Sequence, residues 1–251
     1  GRLLLLLEDP APATNEYLIF SSTDNGTTWA AYRAATALPG FGAGSAALSL
    51  APHPTNAQRL GVLVVSNTAA ASLDITTNGG GAWTRKATGW STATGGPMIQ
   101  LANNRFAAKQ GVAGSFSIRT SDDDGDSWTS RYSDTFATDH PRFVKVSEAV
   151  LLFGIANGVA GQRSVVRSTD GGTTWTNLGA MPAGLVGTLA GVAYYAPLDR
   201  LYIIASGSGA TWRIETVSTR AWGTVVAGDW TTLPTLGFSL QSAQQWVLTV
   251  I

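Results

Sequence analysis

The sequence has no cysteine, two histidines and two methionines in 251 residues, and its net charge is zero because sixteen basic residues balance sixteen acidic ones. The lack of cysteine excludes disulfides and thiolate metal sites, and we predict no metal and no cofactor. A neutral chain lacks the basic footprint that nucleic acid requires, so we expect no nucleic-acid partner. No apolar run approaches the roughly 18 residues of a membrane-spanning helix, so we expect no membrane insertion.

Charged residues make up only 13% of the chain and hydrophobic residues 44%, which predicts a large buried core and argues against disorder. A chain of this length is compatible with one all-β domain, and we predict a single domain over residues 1–251. Because the sequence begins at Gly1, we expect a processed product or a segment of a longer chain or multimeric assembly.

Four octapeptides recur along the chain, each with a hydroxyl at its first position, Asp or Asn at the third, Gly at the fifth and Trp at the eighth. Their tryptophans lie 54, 45 and 47 residues apart, and a further interval of 47 reaches Trp222, where the Asp and the Gly are lost. The shared residues are Ser22, Asp24, Gly26 and Trp29; Thr76, Asn78, Gly80 and Trp83; Ser121, Asp123, Gly125 and Trp128; and Ser168, Asp170, Gly172 and Trp175.

A turn explains this pattern physically, because the third side chain can accept hydrogen bonds from turn amides and glycine adopts positive φ without a steric cost. The tryptophan would begin the next strand and bury its indole. The octapeptides resemble the Asp box, or BNR repeat, of sialidases, sortilin-type receptors and xyloglucanases. That resemblance implies a β-propeller in which the boxes are structural and face away from any active site.

Apolar runs before and after each octapeptide give four predicted strands per period, with the turn between the third and the fourth. Four antiparallel strands every 45 to 54 residues are typical of a propeller blade, and no window shows an amphipathic helical stripe. The first octapeptide is preceded by too few strands for a complete blade, and the tail carries extra ones. We predict about five blades, with six as the alternative, over residues 1–35, 36–88, 89–134, 135–180 and 181–228, with closing strands in 229–251.

The loops opposite the boxes, here called the mouth loops, are rich in Gly, Ala, Thr and Pro and contain no arginine. They are predicted at residues 9–15, 35–44, 67–71, 88–96, 110–114, 135–141, 156–162, 180–187, 207–210 and 228–235. A sialidase-like site needs three converging arginines, a Tyr/Glu pair and an acid, and other glycosidases need two facing carboxylates. Two indoles in these loops suit the stacking of sugar rings or a protein contact, although they equally suit a plug in the central channel. The candidate ligand-binding residues are Trp90, Trp230, Asp139, His140 and Asp229, and no residue is assigned to catalysis.

The run Asp122–Asp126 superficially resembles a calcium loop, but the turn already accounts for Asp123 and Gly125, and the terminal Glu of such a loop is absent. We therefore expect a non-catalytic module on an extracellular or virion surface that binds a glycan or a protein, such as an adhesin or a phage tail component. A reduced sialidase-like glycoside hydrolase is the alternative. Only the resemblance of the octapeptides to Asp boxes supports this alternative.

Overall fold

The computed structural model describes the chain in thirteen segments. The described residues are 2–9, 16–37, 46–66, 70–90, 94–112, 115–134, 143–149, 151–155, 164–180, 189–198, 200–206, 212–218 and 231–232. The helical content of these segments is one turn of 3₁₀ helix, Ala196–Leu198. In this part of the chain no helix has the length and the apolar character needed to cross a membrane.

Within these segments the strands form five antiparallel sheets, each built from strands that follow one another in the sequence. Sheet one contains β1 (Leu3–Asp9), β2 (Glu16–Ser22) and β3 (Ala30–Ala37). Sheet two contains β4 (Ala46–Pro52), β5 (Leu60–Ser66), β6 (Ser72–Thr76) and β7 (Thr84–Ala87). Sheet three contains β8 (Thr94–Gln100), β9 (Phe106–Val112), β10 (Ser115–Ser121) and β11 (Thr129–Asp134).

Sheets four and five continue the same order along the chain. Sheet four contains β12 (Phe143–Lys145), β13 (Leu151–Ile155), β14 (Ser164–Ser168) and β15 (Thr176–Ala180). Sheet five contains β16 (Leu189–Tyr195), β17 (Arg200–Ser206), β18 (Trp212–Ser218) and β19 (Thr231–Thr232). The predicted all-β fold of four-stranded antiparallel sheets is confirmed, with octapeptide turns between the third and fourth strands of sheets two, three and four.

The chain divides into two compact units, the first comprising residues 1–113 and 117–130 and the second residues 114–116 and 131–251. Sheet one has three strands among the described residues, and its octapeptide turn joins β2 to β3. This agrees with the shortage of strands that the sequence shows before the first octapeptide.

In the first unit, β5 contributes side chains to two hydrophobic cores, one on each side of sheet two, because neither face of this apolar strand is polar. Leu60, Val62 and Val64 join Ile19 and Tyr32 in the core between sheets one and two. Leu63 lies on the opposite side, in the core of Ala51, Ala71, Leu73, Ile75, Trp90, Met98, Phe106 and Ala108 between sheets two and three. Successive side chains of a strand alternate between its faces, so a continuous apolar run is what a strand buried on both sides requires.

Close contacts between neighbouring sheets depend on two glycines of the octapeptide turns. A Cβ on Gly80 would lie 2.3 Å from the Tyr32 carbonyl oxygen, and a Cβ on Gly125 would lie 2.6 Å from Leu73 Cδ2. Both glycines have positive φ, 93° and 86°. Each of these glycines is therefore required for two reasons: the turn backbone has positive φ, and the preceding sheet leaves no room for a side chain.

The tryptophans of the second and third turns pack against the sheet that precedes their own. Trp83 meets Tyr32 edge to face with ring centroids 6.3 Å apart, and Trp128 meets Trp90 at 4.9 Å. Trp29, in the first turn, remains 42% exposed. Large aromatic side chains contribute most when buried, so Trp83 and Trp128 anchor the sheet contacts of the first unit.

In the second unit, the octapeptide turn of sheet four makes comparable contacts within its own sheet. The Gly171 amide donates to the Ala149 carbonyl at 2.8 Å, and the rings of Phe143 and Trp175 lie 6.1 Å apart. Val165 and Val166, on the strand that leads into this turn, are both buried.

Trp83→Ala and Trp29→Ala form a matched pair, because both indoles donate from Nε1 to the carbonyl of their turn glycine, at 3.1 and 3.0 Å. Of the two, only Trp83 packs against a neighbouring sheet in the part of the chain that the structure describes. We expect Trp83→Ala to lower the free energy of unfolding by about 3 kcal/mol and Trp29→Ala by about 1 kcal/mol. Urea denaturation followed by circular dichroism measures both, and equal losses would contradict the packing role.

Candidate functional site

The four octapeptide turns share one hydrogen-bond pattern, in which the first and third side chains hold the backbone. In the first turn the Ser22 hydroxyl donates to Asp24 Oδ1 at 2.7 Å and accepts the Gly26 amide at 2.8 Å. The Asp24 carboxylate also accepts the amide and the hydroxyl of Thr28, at 2.9 and 2.5 Å. Both side chains are thus fully engaged within the turn.

The other three turns repeat these contacts with small changes of residue. Ser121 and Ser168 accept the amides of Gly125 and Gly172, each at 2.7 Å. In the second turn Thr76 replaces the serine and accepts the Gly80 amide at 2.9 Å. The residues at the fourth position, where φ lies between 58° and 72°, are Asn25, Gly79, Asp124 and Gly171. Asn, Asp and Gly are the residue types that tolerate this left-handed conformation.

The hydrogen bonds lower the pKa of the turn carboxylates. The Thr28 hydroxyl and amide bring the pKa of Asp24 to about 2, and the Ser127 hydroxyl and amide lower the pKa of Asp123. At Asp170, burial alone would raise the pKa, but the hydrogen bonds from Thr174 and Ser168 outweigh it and the pKa is lowered. These carboxylates are ionised hydrogen-bond acceptors, so they cannot serve as proton donors near neutral pH.

The acidic neighbours of Asp123 in the third turn form ion pairs with basic side chains of the same unit. Asp122 pairs with Arg105 and Asp126 with Lys86, both at 2.6 Å, and Asp124 pairs with Arg59. These pairs already neutralise the carboxylates that suggested a calcium loop. Among the residues that the structure describes, no three His, Asp or Glu side chains are placed to hold a metal ion.

A further ion pair joins β6 and β7, the third and fourth strands of sheet two. Asp74, whose side chain is fully buried, accepts two hydrogen bonds from Arg85, from Nε at 2.6 Å and from Nη2 at 2.7 Å. The two residues are direct partners in the β6–β7 register. This bidentate geometry satisfies the buried carboxylate and fixes the guanidinium within its own sheet.

The histidine at position 53 also has a local role. His53 Nδ1 accepts the amides of Thr55 and Asn56, at 3.2 and 3.0 Å, so the proton of the neutral ring lies on Nε2. Nε2 is 3.2 Å from the Ala102 carbonyl and donates to it. Both ring nitrogens thus hold loops of the first unit together.

The structure contradicts the assignment of Trp90 to ligand stacking, which is one of the two interpretations that the sequence allows for this indole. Trp90 is only 2% exposed and lies in the core between sheets two and three, against Trp128. Its backbone is held by Ala71, whose amide donates to the Trp90 carbonyl at 3.3 Å. A side chain buried to this degree offers no stacking surface, so Trp90 is a core residue.

The remaining predicted ligand residues, Asp139, His140, Asp229 and Trp230, lie outside the described residues. The same holds for most of the predicted mouth loops. The assignment of these four side chains to ligand binding therefore stays a prediction.

Sequence reasoning did not identify a polar cluster in the second unit, at Tyr132, Asp134 and Asn177. The Tyr132 hydroxyl donates to Asp134 Oδ2 at 2.9 Å and also hydrogen-bonds with Asn177. Burial and the Asp134 carboxylate raise the pKa of Tyr132 to about 12. A tyrosine nucleophile needs the opposite shift, because its reactive form is the phenolate. The only sequence signal was the spacing of Tyr132 and Asp134 on one face of β11.

Comparison with known proteins adds information about the fold. No protein-family model and no curated protein sequence matches this chain. Among solved structures, the NanB sialidase of Streptococcus pneumoniae is similar with a TM-score of 0.60 and 12% identity, over 89% of this chain and 58% of that one. The Hadza microbial sialidase Hz136 is similar with a TM-score of 0.57 and 16% identity, over 93% and 56%.

A protein of the nidogen/laminin complex is also similar, with a TM-score of 0.58 and 15% identity, over 89% of this chain and 76% of the other. At these identities the likeness shows the fold alone, and that fold is a β-propeller. This chain spans less than two thirds of the length of the sialidases that it resembles.

The pKa shifts of the turn carboxylates predict acid sensitivity. A carboxylate whose pKa is lower in the folded state stabilises the fold when ionised, so its contribution is complete above the ordinary value of 3.8. The contribution is lost as the pH falls through the folded pKa, which is about 2 for Asp24. We expect a variant with Asp24, Asp123 and Asp170 all changed to Asn to lose less stability than the wild type across this window.

Urea denaturation at a series of pH values measures this difference. Asn78 shows that an amide is accepted at the third position, since its Oδ1 accepts the Ala82 amide at 2.8 Å. As a control, Asp126→Asn removes the ion pair with Lys86 but none of these turn hydrogen bonds, and it should change the dependence of stability on pH less than the triple variant does. If the free energy of unfolding of the triple variant fell with decreasing pH as steeply as that of the wild type, the turn carboxylates would not be the source of the acid sensitivity.

Proposed function

We propose that this protein is an Asp-box propeller that acts as a non-catalytic binding or display module, with a glycan or a protein as its ligand. The proposal places it on an extracellular or virion surface. The hydrogen bonds of the octapeptide turns support the Asp-box assignment, because the side chains at the first and third positions accept backbone amides within all four turns.

The observation that carries the proposal is how four arginines of the first unit are engaged. Arg59, Arg85 and Arg105 each pair with a carboxylate of their own unit. Arg2 donates to the Ala57 carbonyl at 3.0 Å and lies over the Tyr32 ring. A sialidase-like site requires three arginines that converge on the carboxylate of a substrate, and these four guanidinium groups serve other contacts.

The comparisons support a propeller in either role, since two of the similar structures are sialidases and another belongs to a complex of two proteins. The reduced sialidase-like hydrolase therefore stays the second candidate. In both candidates, recognition is assigned to the mouth loops, with Trp230 as the aromatic contact and with Asp139, His140 and Asp229 as polar contacts.

A glycan array combined with a panel of fluorogenic sialosides and other glycosides separates the two candidates. We expect binding without turnover, and we expect Trp230→Ala to weaken that binding about tenfold, a typical loss for an aromatic contact residue. The matched control is Trp29→Ala, which removes an exposed indole from a turn and should leave binding unchanged.

Two further results would decide against the proposal. Turnover that is abolished by Asp139→Asn or Asp229→Asn would establish the hydrolase. The absence of both turnover and glycan binding would remove the glycan ligand and leave a protein-binding or scaffold role, which a pull-down with a defined candidate receptor would then have to demonstrate.

A further inference from the structure

Two octapeptide turns contain an Asn-Gly pair, at Asn25–Gly26 and Asn78–Gly79. Such pairs are prone to spontaneous deamidation, because glycine offers little steric hindrance to attack by its own backbone nitrogen. The two pairs lie at different positions of the same kind of turn. Asn25 occupies the fourth position and Asn78 the third, so the two sites can be compared within one molecule.

The side chain of Asn78 is held by its turn. Its Oδ1 accepts the Thr76 hydroxyl at 3.1 Å and the Ala82 amide at 2.8 Å. The nitrogen that would attack it is also engaged, since the Gly79 amide donates to the Gln58 carbonyl at 2.8 Å. Gly79 is packed so closely that a Cβ would lie 2.1 Å from Gln58 Oε1. Deamidation here requires three hydrogen bonds to break and a tightly packed glycine to move.

The side chain of Asn25 has no comparable contacts among the described residues. The residue is exposed, its φ is 58°, and among the described residues its amide group has no hydrogen bond. The attacking nitrogen is held only by the Ser22 hydroxyl, which accepts the Gly26 amide at 2.8 Å. A Cβ on Gly26 would be in ordinary contact, 3.6 Å from Leu3 Cδ1. Deamidation at Asn25 therefore requires only the hydrogen bond between the Gly26 amide and the Ser22 hydroxyl to break.

We propose that Asn25 is a site of spontaneous, water-dependent deamidation and that the same turn architecture protects Asn78. The Gly26 nitrogen loses its proton to solvent and attacks Asn25 Cγ. A new bond forms between these two atoms, the bond from Cγ to Nδ2 breaks, and ammonia leaves. Water then opens the cyclic imide and gives aspartate or isoaspartate. The net reaction consumes one water and releases one ammonia.

The two products have different consequences for the turn. Aspartate fits, because Asp124 occupies the same fourth position in the third turn with a φ of 59°. Isoaspartate adds a methylene to the backbone between the Ser22 hydroxyl and the Gly26 amide, and it therefore disrupts the hydrogen bond that closes the turn. Deamidation thus adds one negative charge to each molecule that reacts. In those molecules that form isoaspartate, it also opens the first turn.

Peptide mapping tests the proposal directly, because cleavage at arginine places Asn25 in the peptide 3–33 and Asn78 in the peptide 60–85. The purified protein is incubated in mildly alkaline buffer, and tandem mass spectra locate the new acid. We expect acid to form at Asn25 about tenfold faster than at Asn78, which corresponds to about 1.4 kcal/mol of extra protection.

Incubation in concentrated urea is the matched control, since both pairs are then in unfolded protein and should react at similar rates. Ser22→Ala, with its folding checked by circular dichroism, should accelerate the reaction at Asn25 and leave Asn78 unchanged. Equal native rates at the two sites, or an unmodified Asn25 after a time that converts the urea-treated protein, would overturn the proposal.

Discussion

The structure depends on one local interaction, in which the hydroxyl at the first position of each octapeptide accepts the amide of the glycine at the fifth. This bond closes a turn in which two consecutive residues have positive φ. Such a conformation is unfavourable for most residues, so the turn needs both the hydrogen bond and the restricted residue types. The carboxylate or amide at the third position completes it by accepting the amide that follows the glycine by two residues.

Long-range order follows from the local turn. The turn sets the register of the strands on either side, so the residue two before the first position pairs with the residue two after the tryptophan. Phe20 pairs with Ala31, Asp74 with Arg85, and Val166 with Asn177. In the first unit the glycines of turns two and three also admit the preceding sheet, and the tryptophans of those turns pack against it. One short motif therefore determines the turn, the strand pairing and the contact between sheets.

The sequence predicts much of this, because the octapeptide and the alternation of the strands are local patterns. The Asp74–Arg85 ion pair also follows from local information, since the fixed register places the two residues opposite each other. Trp90 could not be assigned from the sequence, because its burial depends on Trp128, which lies 38 residues later in another sheet. The contact between Tyr132 and Asn177 is hidden for the same reason, because the two residues belong to strands of different sheets.

The recurrent side chains of the octapeptides are thus structural, and recognition has to be assigned to other residues. Hydrogen exchange measured by nuclear magnetic resonance at the amides of Gly26, Gly80, Gly125 and Gly172 tests this claim most directly. The hydrogen bonds to the hydroxyls predict that these amides exchange as slowly as those of the strands on either side. Exchange at the rate of an unprotected peptide would contradict the account, because the turns would then not be held by the side chains that define them.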